Sequence, residues 1–372
     1  MTDATLTAKP ALSPQQIRRI AWIAGPVLLV VVLTLLTRSG AIGPSDWTYK
    51  ILVDPFVTMW SLPDLLIQTL WEGFVAGVLY ALIALGFVLI FKASGVFNFA
   101  QGIMVVFAAL SLIGFYEILV GRLGIPAGYA AAMVALIGAL GIMLLLAIAV
   151  ERIVLRPLVN QPDIIMLMAT VGLSFFLTGF GELAFGGNPK VMITSALGLP
   201  TGSSSIDVPG GRINVQHLDV AAAIIATILI VSLGIFFQKT RIGRALRAVA
   251  DSHKAALSVG ISLNQIWIIV WFTAGIVALV TGIMWGARSE VSFALEVIAL
   301  KALPVLVLGG FTSIPGAIVG GLIIGIGEKL GEFYWGPLMG GGIETWLAYI
   351  IALVFLLFRP QGLFGEKIIE RI

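Results

Sequence analysis

The chain has 372 residues, of which 59% are hydrophobic and only 11% are charged, and its mean hydropathy is +1.07. Soluble domains carry roughly 25% charged residues, so most of this chain does not face water. The net charge is a modest +3 and cysteine is absent, which excludes a disulfide framework, a thiol nucleophile and a cysteine metal site.

Residues 1–20 are polar, and Ser13-Pro14-Gln15-Gln16 reads as a helix start, with a capping Ser and Pro at the first helical position. An apolar run follows over 20–36. It is expected to be an uncleaved first helix, the rival being a signal peptide with Arg18 and Arg19 as its basic end. A loop over 40–64 carries Trp47 and Trp60, residues suited to a membrane interface. Residues 1–64 are therefore read as a tail, an extra membrane helix and a loop, and 65–372 as the main membrane domain.

Apolar runs then cover 65–91, 97–120, 126–150, 164–185, 220–237, 266–287, 299–310, 316–330 and 343–358. Spanning ~30 Å of hydrocarbon takes about 20 helical residues. The expectation is an all-α polytopic membrane protein of about ten segments. The runs 299–310 and 316–330 are too short to span and are expected as short or re-entrant helices buried by neighbours. Placing the N-terminus inside puts most of the 22 Lys and Arg residues on the cytoplasmic side. Both termini are then cytoplasmic, and the Gly- and Ser-rich loop over 186–219 is outside.

The stretch 238–265 is polar and basic between two apolar runs. As a helix from Arg241, it gathers Ile242, Leu246 and Val249 on one side and Arg244 and Arg247 on the other. Its apolar stripe calls for a surface, either on another protein or on the cytoplasmic ends of this chain; a plain positive loop is the competing reading. A second polar interruption, Lys92 to Gly102, holds Ser94, Asn98 and Gln101. On a helix Asn98 and Gln101 face one way, lining a route, fixing a broken backbone beside it, or bonding between helices. Lys301 opens a half-length helix near the outer face, free to meet a solute carboxylate or to pair with Glu296. Spacings of small residues at Gly73/Gly77, Gly282/Gly286, Gly316/Gly320 and Gly321/Gly325 read as packing surfaces, and Glu182, Glu328 and Glu344 are carboxylates of no assigned role. His217 and His253 stand far apart and make no metal site, no catalytic constellation is present, and no cofactor is expected. Basic residues flank apolar spans as topology requires, so nucleic acid is not an expected partner.

Four stretches in order resemble permease subunits of branched-chain amino acid ABC importers, the LivH-like group. They are ALIALGFVLIFKASGVFNFAQG, ERIVLRPL, GRALRAVADSHKAALSVGIS and ALKALPVLVLGGFTSIPGAIVGGLIIG. Gln101 stands where the family often has His. Lys254-Ala255-Ala256 with Gly260 keeps the spacing of the Glu-Ala-Ala-x-x-x-Gly signature, with Lys in place of Glu. The resemblance implies an ABC importer permease domain over 65–372 in a bacterial inner membrane, in contact with lipid. It implies two separate ABC ATPase subunits, a second homologous permease subunit and a periplasmic solute-binding protein. It further implies that Arg241, Ile242, Gly243, Arg244, Leu246, Arg247, Val249, Ala255, Ala256 and Gly260 contact an ATPase, with Ile242, Leu246 and Val249 docked in its groove. Gly260 would turn the chain back into the membrane. Ser94, Asn98, Gln101 and Lys301 are the candidate pathway residues. No GxxxxGK[ST] occurs in the chain, so ATP hydrolysis would belong to the partners. An ion-coupled secondary transporter and a passive channel for a neutral solute such as urea are the alternatives.

Overall fold

A computed structural model describes residues 49–158, 161–251 and 253–365; the expected first helix over 20–36 lies outside them. The chain divides into two units after Ser61. In the described part of the first, helical residues 49–52 precede the short helix α1 (Asp54–Ser61). All further elements belong to the second.

Helix α2 (Pro63–Ser94) is the axis of this unit. It opens with Pro at its first position and Asp64 in its first turn, both favourable at a helix N-terminus. Its middle is apolar on every side, and Leu79, Leu82, Leu85 and Leu89 are at most 1% exposed, the pattern of a helix buried all round. Next come α3 (Gln101–Glu117), α4 (Tyr129–Ala149) and α5 (Asp163–Phe185). Helix α3 runs on through a π-turn at Ile118–Arg122, and α4 through Val150–Leu155 and a tight turn at Arg156–Leu158. An antiparallel hairpin of β1 (Ser203–Val208) and β2 (Gly211–Gln216) leads into α6 (His217–Lys239). The remainder is α7 (Arg241–Asp251), α8 (His253–Ser258), α9 (Leu263–Arg288), α10 (Leu295–Leu300), α11 (Ala302–Gly309), α12 (Ile314–Met339) and α13 (Glu344–Phe358).

Among the described residues, seven helices are long and apolar enough to cross a membrane, namely α2, α3, α4, α5, α6, α9 and α12, with α13 a shorter apolar helix. The chain is a helical, multi-pass membrane protein. One expectation is corrected. The run 316–330 is no half-helix, because it is the first part of α12, which has 26 residues. Charges that seemed to end the run are satisfied without ending the helix. Lys329 pairs with Glu344 at 2.7 Å, and Glu332 accepts bonds from the backbone N–H groups of Gly342 and Glu344 at the start of α13. The run 299–310 is indeed short, a helix broken at Lys301 into α10 and α11. Pro304 explains the break, since it has no N–H to offer the Leu300 carbonyl; the Tyr349 hydroxyl donates to that oxygen instead, at 3.3 Å.

The most extensive helix pairing is α2 with α12. Gly73, Gly77, Gly321 and Gly325 bring the two backbones together, and a Cβ on Gly77 would come within 2.8 Å of the Gly321 carbonyl oxygen. These are two of the small-residue surfaces expected from spacing, and they face each other. Helix α11 folds back on α12 through Gly309, Gly316 and Gly320. Helix α9 packs against α2, α3 and α4, burying Trp267 and Trp271.

The bundle has two distinct ends. At the hairpin end, the Asn214 N–H donates to Gln68 at 2.8 Å, Lys190 pairs with Glu117 and Arg288 pairs with Asp219 at 3.0 Å. The opposite end carries α7, α8 and the buried Glu151 paired with Arg156 at 3.1 Å. There the Leu363 N–H donates to the Leu308 carbonyl at 2.7 Å.

Candidate functional site

Helix α7 is positioned by the end of α6. Thr240 interrupts the helix in extended conformation, and its hydroxyl accepts from the Gly243 N–H at 3.1 Å, which supplies one of the missing bonds of the new helix. Gly243 lies against the Phe237 carbonyl with no room for a Cβ. Arg247 reaches back to the Phe237 carbonyl at 2.6 Å, capping the last turn of α6 with positive charge.

Helix α7 packs against α2, α6 and α9. Leu246 is 2% exposed and Val249 fully buried; Gly243 is buried and Ile242 half-buried, while Arg241, Arg244 and Arg247 are exposed. The expected docking of Leu246 and Val249 in a partner's groove is therefore corrected. Their side chains are used within this chain, on the ends of its own membrane helices. Periodicity identifies the apolar face without saying what covers it.

The outward apolar surface lies one helix further on. Helix α8, which includes Ala255, keeps Ala256 buried at 1% but leaves Leu257 54% exposed, and Val259 in the turn after it is 74% exposed. Gly260 ends α8 at φ 83°. The Gly260 N–H bonds to the Leu257 carbonyl and the Ile261 N–H to the Ala256 carbonyl. This double bond pattern is the Schellman cap, whose left-handed residue is best supplied by glycine. The chain then enters α9.

The interruption after α2 is a true break. Gly95 closes the helix at φ 73°, with its N–H on the Phe91 carbonyl, and α3 begins only at Gln101. Asn98 thus sits in the link rather than on a shared helical face with Gln101, which corrects that expectation. Its side-chain oxygen accepts from the Ala100 N–H at 3.1 Å. The Thr170 hydroxyl on α5 serves the link twice, donating to the Phe97 carbonyl at 3.2 Å and accepting from the Phe99 N–H at 3.1 Å. Ser94 donates to Ile90. Gln101 presses on Gly86 and donates to the Ala274 carbonyl at 3.4 Å. Ser94, Asn98 and Gln101 are all buried. Ser94 and Asn98 accept from the Val96 and Ala100 N–H groups of the broken backbone, where unmet groups are costly at membrane depth, whereas the Gln101 side-chain oxygen has no hydrogen-bond partner among the described residues.

Lys301 does not pair with Glu296, which instead accepts from Ser174. Its partner is Glu328 on α12, at 2.5 Å, with side-chain exposures of 16% and 1%. Tyr80 on α2 donates to the same carboxylate oxygen at 3.1 Å and stacks on Trp285 of α9 at 5.8 Å between ring centroids. Counting 1.5 Å per residue, Glu328 lies about 21 Å along α12 from Ile314, and Tyr80 a like distance from the end of α2 at Ser94. Lys301 therefore lies far from the α7 end, and Trp285, one turn before Arg288 on α9, puts the cluster toward the hairpin end of the bundle. Sequence reasoning singled out Glu328 only as an apolar-run carboxylate and gave Tyr80 no signal.

Comparison with known proteins places this geometry. The model of the branched-chain amino acid transport system permease component matches residues 69–359. The high-affinity branched-chain amino acid transport system permease protein LivH of Escherichia coli is 28% identical over 313 residues, covering 82% of this chain and 97% of that protein. BraD of Pseudomonas aeruginosa, named likewise, is 28% identical over 310 residues, covering 82% and 98%. A probable LivH permease of Methanocaldococcus jannaschii is 26% identical over 315 residues, covering 82% and 94%. The chain belongs to the family of branched-chain amino acid transport permease components.

Proposed function

We propose that this chain is the membrane permease of an ABC importer for a small amphipathic solute, a branched-chain amino acid or a close relative. It works beside a second permease subunit, two ATPase subunits and a binding protein on the opposite side. Its α7 end faces the cytoplasm of a bacterial inner membrane, both termini lie on that side, and the β1–β2 hairpin faces outward. Lys92, Arg152, Arg156, Lys239, Arg241, Arg244, Arg247 and Arg359 all belong to the α7 end, as the positive-inside rule asks of a cytoplasmic face.

The observation that carries this reading is the two-sided construction of the α7–α8 segment. One side, Leu246 and Val249, is buried against α2, α6 and α9. The other presents Leu257 and Val259, with exposed arginines alongside. An ATPase gripping the outer side would move the membrane helices through the inner one. Apolar anchors supply the grip, and the arginines steer and orient. Solute would then be released as the bundle opens on alternating sides.

The test is leucine uptake into proteoliposomes holding the permease pair and its ATPases, with binding protein added outside. Uptake that follows internal ATP and persists when ion gradients are collapsed supports the importer. Uptake that follows a proton or sodium gradient without ATP supports a secondary transporter and overturns the proposal.

A further inference from the structure

The α7–α8 segment accounts for coupling, but nothing in it accounts for the buried charges around Lys301. A Lys–Glu pair this buried is poor material for stability, because apolar residues of similar volume serve packing as well or better. Ionisable groups within membrane spans point to function by default. Its arrangement is also half made. One carboxylate oxygen of Glu328 receives both Lys301 and Tyr80. The other, Oε2, is buried with no hydrogen-bond partner among the described residues, and so is the indole N–H of Trp285. An unmet acceptor and an unmet donor thus both belong to neighbours of Tyr80, Glu328 at its hydroxyl and Trp285 stacked on its ring.

The pair also joins elements suited to separate. Lys301 sits at the break between α10 and α11, where among the described residues the Tyr349 hydroxyl at 3.3 Å is the side chain that bonds the Leu300 carbonyl. Glu328 stands on the long α12 and Tyr80 on α2. Lys301 is also the one member of the trio that retains some exposure, 16% against 1% for Glu328.

We propose that Lys301 and Glu328 form the solute-reading site of the translocation pathway, which takes an α-amino acid zwitterion. In passing, the solute opens the ion pair. Its ammonium meets Glu328, with the unmet Oε2 as an acceptor, and its carboxylate meets Lys301, with the Trp285 N–H as a further donor. Both buried charges keep a counter-charge throughout, and so do both charges of the solute. The Tyr80 and Trp285 rings, stacked on one another, form an apolar wall for the solute's side chain once the pair has opened. A neutral solute, or one with a single charge, leaves one member of the opened pair unmet. This inference rests on the reading of the chain as an amino acid importer and names the site within it.

The experiment uses the reconstituted complex and measures leucine moved per ATP hydrolysed, together with permease–ATPase co-purification. Lys301→Met and Glu328→Gln are each expected to lower the ratio at least tenfold. The double variant Lys301→Met/Glu328→Gln removes both charges, and it is expected to assemble normally yet stay at least tenfold down. A double variant that regains wild-type coupling shows the pair to be structural and overturns the proposal. Should these variants fail to assemble, Lys301→Arg keeps the pair charged while changing its shape. A clear fall in leucine per ATP with normal assembly then supports the site, and an unchanged ratio overturns it. A wild-type complex that moves a neutral solute but no leucine instead overturns the amino acid importer reading, and this inference falls with it.

Discussion

Replacing Leu246 with Asp separates the inner face of α7 from the outer face of the segment. Leu246 is 2% exposed, and burying a Leu side chain is worth roughly 1.5–3 kcal/mol. Truncating a buried Leu typically costs about 2–5 kcal/mol once the cavity is included. Aspartate adds an unpaired charge on a face packed against three helices, which costs more still unless it is protonated. Leu246→Asp is therefore expected to undock α7 and lower the thermal unfolding midpoint of the purified permease, whether or not an ATPase is present. Leu257→Asp is the control, because Leu257 is 54% exposed and exposed substitutions usually stay within about 0.5 kcal/mol. It is expected to leave the midpoint unchanged and to reduce ATPase co-purification. Should Leu246→Asp unfold like wild type while losing only the ATPase, the inward docking of α7 is wrong.

Gly321→Val puts side-chain atoms against the backbone of α2 at Gly77 and Ala81, and overpacking of about 1–3 kcal/mol or more is expected to appear as a lower unfolding midpoint. Tyr349→Phe strands the Leu300 carbonyl freed by Pro304; a loss of about 1–3 kcal/mol follows if it stays unmet, and the double variant Tyr349→Phe/Pro304→Ala, which restores an N–H donor, is expected to recover most of it. Asn98→Leu removes the acceptor of the Ala100 N–H and is expected to cost about 1 kcal/mol, read as reduced stability in step with reduced transport. Ser204→Cys places a thiol in the exposed β1 strand of a cysteine-free chain; labelling from outside is expected, and labelling only from the cytoplasm would invert the topology.

Much of the helical layout was legible because apolar runs and small-residue spacings are local signals. The apolar runs from 65 onward correspond to helices, the run 299–310 to two, and the Gly73/Gly77 and Gly321/Gly325 surfaces do pack on one another. What was not legible depends on partners far away in sequence. The length of α12 is hidden by Lys329 and Glu332, whose charges are met from the start of α13. The face of α7 is visible in its periodicity, but its cover comes from α2, α6 and α9. Glu328 meets Lys301 across 27 positions and Tyr80 across 248, and no spacing rule reaches that far. Asn98 was read as helical because polar residues three apart share a helical face. The Gly95 cap instead takes it out of the helix.

The central claim, that an ATPase grips the outer side of the α7–α8 segment, is tested most directly by cross-linking. Val259→Cys, introduced into this cysteine-free chain, offers one thiol at a position that is 74% exposed. With a short heterobifunctional reagent of thiol and amine reactivity, the assembled complex is predicted to give a permease–ATPase adduct from Val259→Cys and none from Ser204→Cys at the hairpin end. An adduct from Ser204→Cys, or none from Val259→Cys in a complex that co-purifies and transports, contradicts the account.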